Sequence, residues 1–184
     1  MRDINELIAK LRIEIVKEDR DAAFREVMKE IEAFYTENLF LEPYSVGIFL
    51  VNDERTVLSF ACPAYLVNSG MIPVSSTEAF TASIYRTGRG VIENNLQQQK
   101  HLAIFEVIRT PEGKYLPIFK MMGALIAVEN DKIGVIEISR RSIDPKDQGD
   151  DFTDTDLQFL DKTIKIFAPY IKRVLPPNFR GKIS

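Results

Sequence analysis

Two stretches decide the fold: residues 123–141 read GALIAVENDKIGVIEISRR, and residues 151–174 read DFTDTDLQFLDKTIKIFAPYIKRV. The first stretch has two apolar runs on either side of the polar residues 129–132, which predicts an antiparallel hairpin. In the second stretch, Thr153 precedes an apolar helical pattern and Asp156 follows three residues later, close to the spacing of a capping box. We therefore predict a hairpin, a polar loop and a capped helix, in that order.

The amino-terminal part of the chain predicts helical structure. Its apolar residues recur at helical spacing in two groups, within 4–15 and within 24–39. The charged segment 17–21 separates the two groups. Either Asp19 or Asp21 caps a second helix there, or one bent helix runs through the segment.

Strands follow at 45–51 and 56–61, which are rich in branched and aromatic residues and are joined by the polar turn 52–55. The first strand is apolar on both faces, which favours a central position in a sheet. The next segment, 62–74, is predicted to be irregular. A helix then follows, capped by Ser75 or Ser76 and ended by Gly88. We also predict a short strand at 90–93 and a short helix at 101–108. Hairpins on both sides of a helical middle predict a mostly antiparallel sheet, hence an α+β fold.

The composition is that of a globular protein, with 45% apolar and 28% charged residues. The 27 acidic and 24 basic residues are interleaved and give a net charge of −3, so the sequence lacks the basic stripe of a nucleic-acid-binding protein. No apolar run approaches the ~20 residues of a membrane span. A single cysteine excludes an intramolecular disulfide and suits a reducing compartment. We therefore expect a soluble, cytoplasmic protein that binds neither nucleic acid nor membrane.

The order of elements and the entry DFTDTDLQFL into the last helix resemble the GAF domain family across roughly residues 20–175. GAF domains are small-molecule sensing modules, usually without catalysis. The resemblance implies a profilin-like central antiparallel sheet with the amino- and carboxyl-terminal helices packed on one face. It also implies that segments 75–94 and 95–122 enclose a ligand pocket on the other face.

Candidate ligand-binding residues follow from this implied pocket. They are Phe80, Ile84, Leu102, Phe105, Arg109, Tyr115, Met121 and Met122. The two methionines, together with Phe119 and Phe105, would form an adaptable apolar wall, although ordinary core packing explains them about as well. Arg109 and Lys114, which flank Tyr115, would hold an anionic ligand, and the alternative, which the pattern favours, is a solvated turn.

The best-known ligand of the family, a cyclic nucleotide, is disfavoured by the closing segment. Ser139 and Arg140 stand where those members resemble one another in an Asn-Lys pair. Phe152 and Asp156 fit the remainder of that motif, but Leu157 occupies the position of its glutamate.

The other specialised chemistries of the family are also disfavoured. Cys62, followed by Pro63, and the distant His101 lack the local context in which a linear tetrapyrrole is attached. Members that reduce free methionine sulfoxide use several cysteines, and one thiol does not complete that cycle by itself. Haem ligation would rest on His101 alone, for which an exposed helix-start residue is the favoured interpretation.

Neither a catalytic nor a metal-binding constellation is evident. The favoured interpretation of Cys62 is a buried, inert thiol, because no neighbouring residue in the sequence would depress its pKa. The acidic residues of the loop, Asp144, Asp147, Asp150 and Asp151, do not have the spacing of an EF-hand and indicate a solvated loop. The sequence therefore favours a protein that is not an enzyme and that binds no metal.

The ends of the chain suggest how such a domain would signal. Residues 1–18 form a helical extension, residues 19–175 the GAF-like domain and residues 176–184 a tail. The apolar stripe of the first helix favours a homodimer through the terminal helices, and the alternative is packing onto the last helix of the same chain. With no output domain in this sequence, a signal would pass through dimerisation or to a separate protein, or the chain is part of a longer one. A structural dimerisation or interaction module with a filled pocket is the alternative function, and a small enzyme ranks last.

Overall fold

A six-stranded sheet forms the centre of the computed structural model, which describes residues 1–67, 69–96, 113, 115–177 and 179. The helices are α1 (Ile4–Glu14), α2 (Arg20–Asn38), α3 (Phe80–Thr87) and α4 (Asp154–Val174). The strands are β1 (Val46–Val51), β2 (Val57–Cys62), β3 (Met71–Pro73), β4 (Val91–Glu93), β5 (Ile118–Val128) and β6 (Asp131–Arg141). They lie in the order β3-β2-β1-β6-β5-β4, and every neighbouring pair is antiparallel. The predicted α+β fold with a central antiparallel sheet is confirmed.

The closing hairpin forms as predicted, with a tighter turn. Val128 pairs with Asp131, so that Glu129 and Asn130 alone connect β5 to β6, where the sequence suggested the four residues 129–132. Glu129 has a φ of 56°, a left-handed conformation of the kind that tight hairpin turns require. The hairpin places two long strands next to each other at the centre of the sheet.

Helix caps fix where the two long helices begin. The Asp19 carboxylate accepts a hydrogen bond from the Ala22 backbone N–H, which selects two helices over one bent helix. At α4, the Thr153 hydroxyl accepts from the Asp156 N–H and the Asp156 carboxylate accepts from the Thr153 N–H. The predicted capping box is therefore present.

Helices α1, α2 and α4 cover one face of the sheet and enclose the larger core. Its fully buried members include Leu7, Leu11, Phe24, Ile31, Phe34, Tyr35, Ile48, Ile136, Leu160, Ile164 and Phe167. The Tyr35 and Thr163 hydroxyls form a buried hydrogen bond of 2.9 Å that links α2 to α4. This layer matches the arrangement that the GAF resemblance implies.

The first helix packs within its own chain. Leu7 and Leu11 are fully buried, in one cluster with residues of α2 and α4. Ile13 and Val16 stay exposed, at 62% and 77% of their surfaces. The structure thus contains the intramolecular packing that was the alternative to dimerisation, while the homodimer stays a prediction.

The middle of the chain differs from the prediction in two places. The segment 62–74 contains a short strand, β3, which pairs with β2 at the edge of the sheet. Helix α3 begins at Phe80, with Ala79 as its N-cap, and the Ser76 hydroxyl accepts a hydrogen bond from the Ala79 N–H in the turn before the helix. It ends as predicted at Gly88, whose φ of 71° is left-handed. The predicted helix at 101–108 lies outside the described residues.

Among the described residues, none of the helices combines the length and the apolar character needed to cross a membrane.

Candidate functional site

The face of the sheet opposite α1, α2 and α4 carries a second, smaller core beneath α3. Phe49, Leu58, Ile84, Met121 and Val135 are among its fully buried members. Next to this core lies a cavity of about 10 Å³, room for about one water molecule. The side chains that line it include Tyr44, Phe60, Leu66, Met121, Glu137 and Arg141. The cavity lies on the face where the GAF resemblance implies a pocket, but of the implied segments 75–94 and 95–122 only Met121 is among the described residues that line it.

A buried acidic residue, Glu137, lies at the floor of this cavity. It belongs to β6 and pairs across the sheet with Gly47 of β1 and Gly123 of β5. A Cβ atom at Gly123 would lie 2.6 Å from Ile84 Cδ1, so the glycine allows α3 to approach the sheet closely. With glycine on both neighbouring strands, the Glu137 side chain has no cross-strand side chain beside it.

Among the described residues, the Glu137 carboxyl has one hydrogen-bond partner for its two oxygen atoms. The Thr81 hydroxyl, fully buried on α3, donates to Glu137 Oε1 over 2.6 Å. Within the described residues, the buried Oε2 has no hydrogen-bond partner. Burial raises the pKa of Glu137 to about 8, while the Thr81 hydrogen bond and the positive charge of Arg141 act in the opposite direction. Glu137 is therefore mostly protonated at neutral pH and presents an unsatisfied polar atom to the cavity.

Two further polar residues of β6, Ser139 and Arg141, form a polar row with Glu137 along the strand. Side chains at alternate positions of a strand point to the same face, so Ser139 and Arg141 lie on the face of Glu137. The Arg141 Nε donates to Ser139 Oγ over 3.0 Å, and the Ser139 hydroxyl donates to the Ser45 carbonyl over 3.1 Å. Burial lowers the pKa of Arg141, but a guanidinium keeps its charge under all ordinary conditions. The row thus presents an acid, a hydroxyl and a cation in sequence.

The residues that the sequence nominated are divided by the structure. Phe80, Ile84 and Met121 lie on the face of Glu137, and Met121 lines the cavity. Met122 packs in the core on the opposite face, because successive strand residues alternate in direction. Tyr115 is 47% exposed. Leu102, Phe105 and Arg109 lie outside the described residues, as do His101 and Lys114.

Sequence reasoning missed the polar row itself. Glu137 interrupts an apolar run, Gly134 to Ile138, in the second strand of the predicted closing hairpin. An acidic residue is almost never fully buried without a partner, so this interruption was the available signal. Thr81 offered no signal of its own, since its link to Glu137 spans 56 residues of sequence.

The single cysteine lies elsewhere. Cys62 is buried on the helical side of the sheet, and its thiol donates to Glu32 Oε2 over 3.2 Å. Burial raises the pKa of the thiol, and the neighbouring Glu32 carboxyl raises it further. The predicted buried position of Cys62 is confirmed, and these surroundings suppress the thiolate.

The acidic loop has structural partners. Asp144 accepts from the Lys146 N–H and caps a short 3₁₀ turn, Pro145–Asp147. Asp151 pairs with the buried ammonium of Lys120 over 2.7 Å. In the described ranges, no three His, Cys, Asp or Glu residues converge in a way that could hold a metal ion.

Comparison with known proteins gives the architecture a counterpart among solved structures. No model of a known protein family matches the sequence, and no curated protein matches it. The GAF domain of a phosphoenolpyruvate-protein phosphotransferase from Coxiella burnetii is similar, with a TM-score of 0.62, 11% identity and 92% of each chain covered. So is the free methionine-R-sulfoxide reductase from Neisseria meningitidis, with a TM-score of 0.61, 15% identity and coverage of 95% of this chain and 93% of the other.

A third similar structure is the A. aeolicus nlh2 GAF domain, with a TM-score of 0.55 and 19% identity over 93% of this chain and 91% of that one. The sheet order and the helical layer described above agree with this likeness. At such identities the likeness concerns the fold. The chain has the fold of a GAF domain.

Proposed function

We propose that this chain is a sensory or regulatory domain that binds a small molecule over Glu137 and carries out no catalysis. The observation that supports the proposal is the buried Glu137 carboxyl, whose Oε2 lacks a partner among the described residues. A buried polar atom without a hydrogen bond costs about 1–3 kcal/mol. A ligand group that pairs with Oε2 would recover this free energy on binding.

The small cavity requires that the pocket wall rearrange. A space of about 10 Å³ accepts a water molecule and no larger ligand. Met121 and Leu66 line this space, and a methionine side chain adapts readily to new shapes. Binding therefore selects a conformation in which these side chains have moved away from Glu137.

The position of Cys62 favours binding over thiol chemistry. Two of the similar structures are free methionine-R-sulfoxide reductases. A redox cycle of that kind needs a reactive thiolate and a second thiol to resolve a disulfide. The only cysteine of this sequence is buried on the other face of the sheet, where its pKa is raised.

The same small cavity favours a second candidate function, an interaction module whose pocket is filled by its own side chains. In either case the signal would pass through a homodimer or to a separate signalling protein. Ile13, exposed on α1, and Val16, exposed just after it, offer apolar surface for such a contact. We place the protein in the cytoplasm, in keeping with its single cysteine.

A screen with a built-in control tests the proposal. Metabolites are first screened for a rise in the melting temperature, because a ligand of the native state stabilises it. Hits are then titrated into protein with ¹³C-labelled methionine methyl groups. We expect the Met121 signal to shift and the Met122 signal, on the opposite face, to stay in place. If no metabolite stabilises the protein, or if hits leave Met121 unmoved, the interaction module becomes the better account.

A further inference from the structure

We infer that the ligand of this cavity carries two opposite charges, an ammonium group that binds Glu137 and an acidic group that binds Arg141. This inference rests on the proposed function and names the class of ligand. It uses the polar row on β6, in which Glu137, Ser139 and Arg141 share one face of the strand.

The two charged side chains of the row are held apart. Four strand residues span roughly 13 Å, which separates the Cα atoms of Glu137 and Arg141. Glu137 Oε1 is occupied by Thr81, and the Arg141 Nε is occupied by Ser139. The acid and the guanidinium each bind a neutral partner and are not joined by an ion pair, although each influences the pKa of the other, and a bridging molecule would satisfy both.

An ammonium group fits the free oxygen of Glu137 better than a neutral donor does. A neighbouring cation stabilises the carboxylate form and lowers its pKa, so that the buried acid gives up its proton when the ammonium arrives. Charge-assisted hydrogen bonds of this kind are roughly twice as strong as neutral ones. Among the charged side chains in the described ranges, Arg141 is the one whose charge lowers the pKa of Glu137. Thr81 contacts Glu137 from α3, and glycines lie next to Glu137 on β1 and β5.

An acidic group fits Arg141. Among the described residues, no carboxylate lies within ion-pair distance of its guanidinium, and the side chains whose charges act on it are Tyr65, Glu137 and Tyr115. A guanidinium with one N–H bound to Ser139 keeps further donors for a planar acid such as a carboxylate or a phosphate. Since the Arg141 Nε reaches back to Ser139, the two charges of the ligand need to be separated by less than the full length of the row.

The test uses a series of probes that differ only in charge separation: glycine, β-alanine, γ-aminobutyrate and 5-aminovalerate. Propylamine and butyrate are the matched controls, since each equals γ-aminobutyrate with one charged group removed. Binding is followed by the Met121 methyl signal, with Met122 as the internal reference. We expect at least one zwitterion to bind ten-fold or more tightly than either control. A series in which no zwitterion shifts Met121, or in which a control binds equally well, overturns the inference.

Variants assign the two charges. Glu137→Gln keeps the size and the Thr81 hydrogen bond but holds no negative charge, and Arg141→Gln removes the cation. Each substitution should reduce the affinity for the zwitterion to that of the singly charged controls. The control substitution is Arg140→Gln, which should leave the affinity unchanged because the Arg140 guanidinium lies over the Phe152 ring. Unchanged affinity in either of the first two variants contradicts the inference.

A measurement on the unmodified protein adds independent evidence. Because ammonium binding needs the carboxylate, affinity should fall by up to about ten-fold per pH unit below the pKa of Glu137. Isothermal titration at pH 7 in two buffers that differ in their enthalpy of ionisation should show the release of a proton. An affinity independent of pH from 6 to 8 would refute the role of Glu137. If the metabolite hits that shift Met121 all lack one of the two charges, the charge-pair inference fails while the proposed binding function stands.

Discussion

The free energy of unfolding of this protein should fall as pH rises, because burial favours the protonated form of the Glu137 carboxyl. The pKa of Glu137 is raised from 4.5 in the unfolded chain to about 8 in the folded state. Between these values the folded state holds a proton that the unfolded state has lost, so stability is greatest below pH 4.5 and is lost as pH rises towards 8. At 1.36 kcal/mol per unit, this one carboxyl removes roughly 3–4 kcal/mol of unfolding free energy between pH 5 and pH 8.

Urea denaturation of the wild type and of Glu137→Gln at pH 5, 6, 7 and 8 measures this effect. The glutamine imitates the neutral acid and keeps the Thr81 hydrogen bond, so the two proteins should be similar at pH 5. The variant should then become the more stable one, by roughly 3–4 kcal/mol at pH 8. Glu78→Gln, at an exposed glutamate, is the control and should follow the wild type. A constant difference between Glu137→Gln and the wild type across this range would refute the reasoning.

Three further substitutions test the packing around the site and the helical layer. Gly123→Ala puts a methyl group 2.6 Å from Ile84 Cδ1 and should lower the free energy of unfolding, measured by thermal or chemical denaturation, by about 1–3 kcal/mol. The control Gly70→Ala, in open space, should lower it by well under 1 kcal/mol. Equal losses would contradict the close approach of α3 to the sheet. Thr153→Ala removes the capping box and should lower the free energy of unfolding by about 1 kcal/mol, so that the helical circular dichroism signal is lost at a lower temperature. An unchanged free energy of unfolding would contradict a stabilising role of the cap. Leu11→Ala should cost about 2–5 kcal/mol at every protein concentration, because the side chain is buried in its own chain, and a cost that changes with concentration would place it at a dimer contact instead.

Elements that depend on local chemistry were predictable from the sequence. The cap at Asp19, the capping box at Thr153 and the left-handed Gly88 each need only residues within one turn of helix. The two long hairpins followed from apolar runs on either side of polar turns. These local signals, taken in order, indicated a mostly antiparallel sheet, whereas the helical layer on one face was implied by the GAF resemblance.

Features that depend on long-range contacts were not predictable. Strand β3 has only three residues, and it exists because it pairs with the edge of β2. The two glycines beside Glu137 lie 90 and 14 positions earlier in the chain, and their common neighbour appears only when β1, β6 and β5 are placed side by side. The adjacent Met121 and Met122 looked equivalent in the sequence, but the pleat of β5 sends one to the cavity and the other to the helical core.

The central claim is that a small molecule binds over Glu137, and a crystal structure with the best hit of the metabolite screen tests it most directly. The account predicts that a polar atom of the ligand lies within about 2.6–3.2 Å of Glu137 Oε2, with Met121 displaced from its present position. A hit bound at another surface, with no ligand atom near Glu137 Oε2 and with Met121 in its present position, would contradict it.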